Sequence, residues 1–304
     1  MNEDLQIVPT VASGVRDRLL AVRTLGILDG LDDDAALLLA EYSKVTTFEP
    51  EQEVTSANQE PDSAYIVLEG RLSVPRPRGA PMVIDSGRGV GVLGILSSQG
   101  KGLRSVAEVK TRTLEIPKDV FFAALDESFS IARNLLKVLA GMLLDVRGPL
   151  PSDEEALPAE PAIEDRMATR TLVERVIELS RTGIFIGANL DPIFDVARIM
   201  GQVRVPSGHV FFSAGDKSRT IIRVLAGTIL CTAPDGSNVE IGPGHMLGGL
   251  QAIAGRRHTF EARATVETVA YEIDFEDFLV VLEAHPDLTM KLLRTFATRV
   301  IEEG

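Results

Sequence analysis

Apolar residues recur along this chain with two periods, and their alternation predicts its elements. Val15, Leu19, Leu20 and Val22 fall at helical spacing, as do Leu172, Val176, Ile177 and Leu179. A second short helix is expected after each. In the later segment Asp191-Pro192 reads as its start, an N-cap acceptor followed by proline at the first helical position. Short strand-like runs broken by glycine come next, such as 64–68 and 228–231, spaced for a small antiparallel sandwich or barrel. Two longer apolar stripes close the segments: Leu135, Leu136, Leu139, Met142, Leu143 and Val146, then Leu288, Leu292, Leu293, Phe296 and Val300. The order helix, β-roll, helix therefore stands twice.

The two segments also resemble each other residue by residue at an offset of 157 positions. Thr24-Leu25-Gly26-Ile27-Leu28 answers Arg181-Thr182-Gly183-Ile184-Phe185, and Val67-Leu68-Glu69-Gly70 answers Val224-Leu225-Ala226-Gly227. Residues 90–121 align with 247–278 without a gap, and eight of those 32 positions are identical. A period this long predicts two copies of one domain. Between them, residues 148–165 hold four Pro, six acids and no base. Proline and like charge both oppose compaction, so this stretch is expected to be an extended, solvated linker. The expected division is 13–147, linker 148–165, and 166–304.

Composition narrows the function classes. The chain has 304 residues, 31 Lys plus Arg against 44 Asp plus Glu, and a net charge of -13. Sequence-independent nucleic-acid binding needs a basic footprint, so no nucleic-acid partner is expected. No apolar run reaches the roughly 18 residues that span a bilayer. The first residues are acidic and carry no apolar signal core, so a soluble cytoplasmic protein without membrane insertion is expected. Cys231 is the single cysteine, which excludes a disulfide framework. The four His, at 209, 245, 258 and 285, lack metal-ligand spacing, so no metal site is expected. No nucleophile elbow or triad pattern stands out, and the chain is read as not an enzyme. The triplet Asp32-Asp33-Asp34 suits a helix N-terminus.

The motifs resemble the cyclic nucleotide-binding domain family. Leu68-Glu69-Gly70 and Leu225-Ala226-Gly227 are similar to its turn between early strands, and 90–107 and 247–264 align with its phosphate-binding cassette. The resemblance implies an α+β, mainly β fold: two β-roll (jelly-roll) domains, each flanked by helices. The family's cassette uses a glycine for close approach, a glutamate for the ribose hydroxyl and an arginine for the cyclic phosphate. Carried over residue by residue, Gly91 and Gly248 keep the glycine, Val92 and Gly249 replace the glutamate, and Lys101 and His258 replace the arginine. Arg104 and the basic run Arg256-Arg257-His258 are the remaining cationic candidates. A ribose hydroxyl without its partner costs about 1–3 kcal/mol, and losing the charge-assisted phosphate bond about 1.5–3. Together these remove roughly two to four decades of affinity. Cyclic AMP and cyclic GMP are therefore expected to bind weakly or not at all, and no cofactor is expected.

The tandem order is similar to regulatory subunits of cyclic-nucleotide-dependent kinases, without a basic pseudosubstrate-like stretch in the first 12 residues. The catabolite-activator group places a helix-turn-helix after the closing helix, and no such segment is read here. The expected function is a non-catalytic regulatory or scaffold protein built on two degenerate cassettes. The alternative is a small-molecule sensor whose altered cassette takes another phosphate ligand through Lys101 or Arg256-Arg257-His258. On the second closing helix, Leu288, Leu292, Phe296 and Val300 are expected to leave an exposed apolar strip for self-association or a protein partner.

Overall fold

The acidic triplet starts a helix, as its sequence predicts: Asp32 caps α2 (Asp33–Tyr42), its carboxylate accepting from the Ala35 N–H at 2.8 Å. Ahead of it lies α1 (Val15–Thr24). These elements come from a computed structural model, which describes residues 14–24, 30–57, 59–75, 80–97, 102–151, 169–181 and 183–303.

In the first copy the strands are β1 (Lys44–Phe48), β2 (Glu53–Thr55), β3 (Ser63–Glu69), β4 (Leu72–Val74), β5 (Met82–Ile84), β6 (Gly89–Val90), β7 (Ser105–Ala107) and β8 (Thr111–Pro117). A short helix, α3 (Val92–Leu96), interrupts them, and α4 (Lys118–Glu127) and α5 (Phe129–Arg147) follow. The second copy starts with α6 (Leu172–Ser180), a 3-10 turn (Gly183–Phe185) and α7 (Leu190–Ile199). Its strands are β9 (Gly201–Val205), β10 (Val210–Phe212), β11 (Thr220–Ala226), β12 (Ile229–Thr232), β13 (Asn238–Ile241), β14 (Met246–Leu247), β15 (Glu261–Ala264) and β16 (Thr268–Asp274). The short helix is α8 (Gly249–Ala254), and α9 (Phe275–Ala284) and α10 (Pro286–Glu303) close the copy.

The offset of 157 carries every helix and strand of the first copy onto its counterpart, within a residue or two at the ends. It carries the topology as well. The sheets β1-β8-β3-β6 and β2-β7-β4-β5 become β9-β16-β11-β14 and β10-β15-β12-β13, with antiparallel pairing throughout. Each copy buries its apolar positions between its two sheets. Phe48, Val67, Leu72 and Val90 meet in the first; Ile222, Val224, Ile229 and Leu247 meet in the second.

Two devices recur in both copies. β3 and β11 carry a bulge at the same place, beside Leu68 and Leu225. The strand then turns through Gly70 or Gly227, at φ +96 and +92. A Cβ at Gly70 would lie 2.6 Å from Thr111 Oγ1, and one at Gly227 would lie 2.5 Å from Thr268 Oγ1. The Leu-x-Gly turn is thus fixed by a steric wall as well as by φ. The second device is an arginine that finishes a helix. Arg18 Nε donates to Ala40 O at 2.6 Å; its counterpart Arg175 donates to Ala197 O at 3.0 Å and Met200 O at 2.5 Å. In both copies a cation satisfies the end carbonyls of the second helix.

The helix expected from Asp191-Pro192 starts earlier, with Asn189 as N-cap. Proline falls inside the first turn instead of opening it, where its missing N–H has no intrahelical partner to lose. By contacts the chain forms two compact units. One holds the first copy up to Leu135 together with Ala297–Glu302; the other holds Leu136–Phe296 together with Glu303. The expected linker falls largely on 152–168, outside the described residues. Of its described residues Gly148 and Pro149 are exposed, whereas Leu150 packs against the core of the second roll and Pro151 is buried.

Replacing Gly227 by Ala is expected to cost about 2–4 kcal/mol, because strain at positive φ adds to the clash with Thr268. At Gly236, φ +86 with nothing within 4 Å, the same change is expected to cost about 1 kcal/mol. Urea unfolding of the two variants side by side measures the difference.

Candidate functional site

In the second copy β14 ends at Leu247 and the chain swings through Gly248, at φ +76, into α8. A Cβ at Gly248 would strike the Thr220 carbonyl oxygen; at the matching Gly91 it would meet the Ser63 carbonyl oxygen at 2.6 Å. The glycine that the cassette resemblance assigns to ligand approach is therefore required by the fold in both copies. Gly249 is different: a Cβ there meets only Ile221, at 3.6 Å or more.

α8 ends on Gly255, left-handed at φ +65, and Arg256, Arg257, His258 and Thr259 follow. The structure does not gather the three basic side chains into one anion site. Arg256 forms a fork with Asp145 of α5, at 2.5 and 3.2 Å. Arg257 Nη1 donates to the Gly215 carbonyl at 2.7 Å. His258 turns inward and is only 4% exposed. Its ring lies flat on Phe212, with centroids 3.6 Å apart and planes 8° from parallel. Its Cε1 borders Gly248, 3.4 Å from the place of a Cβ. Its backbone is pinned on both sides, His258 N donating to Asp216 O and Gly215 N donating to His258 O. The imidazole therefore fills the ground beside the start of α8.

This ring is electrostatically quiet. Burial pushes its pKa down to about 4, against a smaller upward pull from Asp216. Its Nδ1 has no hydrogen-bond partner. At neutral pH the ring is uncharged. The loop carrying it is held further by Thr259, whose Oγ1 donates to Pro149 O at 2.7 Å. Arg147 joins Glu303 through a nearly buried fork at 2.5 and 2.6 Å.

In the first copy Gly91 and Val92 open α3 as the alignment predicts. Lys101 lies outside the described residues. Arg104 is half exposed and its Nε donates to Glu53 Oε2 at 2.9 Å. The apolar strip expected on α10 is corrected by the structure. Leu288, Leu292, Phe296 and Val300 are 1%, 5%, 9% and 6% exposed. The helix is divided between the two compact units. Among the described residues no cluster of three His, Cys, Asp or Glu suits a metal ion, and no helix is long and apolar enough to cross a membrane.

Sequence reading missed Phe212 and Asp145. The pair Phe211-Phe212 offers a stacking partner, but nothing local tells which ring faces the cassette. Asp145 stands 111 positions from Arg256, with no sequence signal linking them.

His258 generates a pH prediction. The unfolded imidazole takes up its proton near pH 6.5 and the folded one near 4, so stability is present above 6.5 and is lost as pH falls toward 4. Between pH 6.5 and 4.5 the loss is expected to be about 2–3 kcal/mol. His258→Phe, which keeps a ring on Phe212, should remove that component of the acid sensitivity in urea titrations. For the Arg256–Asp145 fork, whose side chains are 46% and 65% exposed, Asp145→Asn is expected to cost under about 1 kcal/mol globally. It should still speed amide exchange across 255–260 by about fivefold, which hydrogen exchange mass spectrometry reads directly.

Residues 202–285 match the family profile described as cyclic nucleotide-binding domain. Uncharacterized NTE family proteins of Mycobacterium bovis and Mycobacterium tuberculosis are 34% identical over 103 residues, covering 34% of this chain and 18% of theirs. The chain thus spans under a fifth of the length of those relatives. Among solved structures, a regulatory subunit of a cAMP-independent protein kinase A from Trypanosoma cruzi, bound to guanosine, is similar across 97% of this chain and 95% of its own. It is 12% identical, with a TM-score of 0.37. The N-terminal domain of a transcriptional regulator from Streptomyces coelicolor is 23% identical over 41% of this chain and 92% of its own, with a TM-score of 0.37. The assignment rests on the profile match and on the repeated strand order: residues 202–285 carry the signature of the cyclic nucleotide-binding domain, and the first half of the chain repeats, element for element, the fold that bears it.

Proposed function

We propose that this chain is a non-catalytic regulatory protein whose second cassette works without a cyclic nucleotide. Regulation or sensing is the role that the domain type supports, and the cassette favours the first. The observation that carries the reading is His258: a buried, uncharged ring stacked on Phe212 where the family uses a cation. A cyclic phosphate entering there must displace the ring and meets no fixed positive charge in return. Gly249 supplies no acceptor for a ribose hydroxyl. Both basic neighbours are engaged elsewhere, Arg256 on Asp145 and Arg257 on Gly215. What remains is a rigid roll that presents surface to other proteins, which is the scaffold reading.

Isothermal titration of the full chain with cyclic AMP and cyclic GMP tests it. No saturable heat is expected below about 100 μM, roughly two to four decades weaker than a complete cassette. The double variant Gly249→Glu with His258→Arg should gain binding by at least tenfold, since a guanidinium also stacks on Phe212. Low-micromolar binding by the unaltered chain overturns the reading.

A further inference from the structure

The start of the second copy presents an apolar surface that no described residue of its own unit covers. α6 turns out Val173, 66% exposed, and Ile177 one turn later. Ile186 follows the 3-10 turn, also exposed. α7 then exposes Leu190, at 67%, and Phe194 four residues on. α6 packs on α7, and Arg175 ties the two through the Ala197 and Met200 carbonyls. Scattered single exposed apolar residues are ordinary; five large ones on two tied helices and their connection are not. The first copy repeats part of the pattern: Leu20 and Leu37, the counterparts of Ile177 and Phe194, are exposed as well.

Charge says what covers this face. Leu190 also lines an open cleft of about 540 Å³ walled by Asn189, Asp191, Pro192, His285 and Asp287. Its walls hold two carboxylates and neither Lys nor Arg. His285 Nε2 sits 2.9 Å from Asp195 Oδ2, and that carboxylate is also paired with Arg198 at 3.8 Å, so the acidity of the cleft rests on Asp191 and Asp287. Lys291 is held on the Ile186 carbonyl. A membrane surface that takes up apolar side chains also asks for basic residues against anionic headgroups. Here the rim of the face is acidic and the chain carries -13, so lipid is disfavoured.

We infer that the α6–α7 face is a docking surface for a basic amphipathic helix of a partner protein. Its apolar residues, at i and i+4 spacing, lie along Val173–Ile177 and Leu190–Phe194, and its Lys or Arg residues reach the carboxylates of the cleft. The inference rests on reading the chain as one that acts through protein contacts.

The probe is a fluorescein-labelled peptide of roughly 15 residues, with Leu at helical i, i+3, i+4 and i+7 and Lys elsewhere, read by anisotropy on the full chain. A control peptide has Glu in place of Lys. The Lys peptide is expected to bind at least tenfold more tightly than the Glu peptide. Leu190→Ser and Phe194→Ser should each weaken it about tenfold, and Asp191→Asn about threefold at low salt and less at high salt. Both apolar positions are exposed, so circular dichroism of these variants should match the parent. Equal binding of both peptides, or variants that fold and bind unchanged, overturns the inference. So does binding to vesicles of phosphatidylcholine with phosphatidylserine that Leu190→Ser abolishes. A negative peptide result with no cyclic-nucleotide binding sinks this surface alone; nucleotide binding with peptide docking sinks the regulatory reading alone.

Discussion

At one point in each copy two backbones come so close that no Cβ fits between them. Gly248 lies against the Thr220 carbonyl and Gly91 against the Ser63 carbonyl. This contact brings the end of the sixth strand back against the start of the third and fixes the direction in which the short cassette helix leaves the sheet. Everything chemical about the site follows from that direction. In the second copy it sets Gly255 to Thr259 beside the hairpin at Gly215 and Asp216, and so delivers His258 onto Phe212. A residue that reads as a ligand glycine is first a folding glycine. Its presence in both copies therefore says nothing about whether either one binds phosphate.

On the reading proposed above, the second cassette is a binding fold emptied without being lost. The uncharged ring keeps the interior packed by stacking, where a vacated position would leave a void. Arg256 and Arg257, the two residues before it, bond to Asp145 and to a loop carbonyl.

Much of this was legible in the sequence. The offset between the copies, the caps at Asp32, the Leu-x-Gly turns and both closing helices were readable, because each rests on local spacing or on a residue type with one dominant physical role. α4 and α9 were not singled out, since each is short and starts at the residue after a strand ends. Asp274, which caps α9 through the Glu276 N–H, was the available signal. The strip on α10 was misread because periodicity gives the apolar face of a helix but not how many neighbours cover it. The Arg256-Arg257-His258 run was misread for a related reason: adjacency in a turn does not make three side chains point one way.

The compact units do not follow the sequence repeat. The unit around the first roll includes Ala297–Glu302, from the far end of the second repeat, and the unit around the second roll includes 136–147, from the end of the first. A cut made at the boundary between the repeats therefore divides both units.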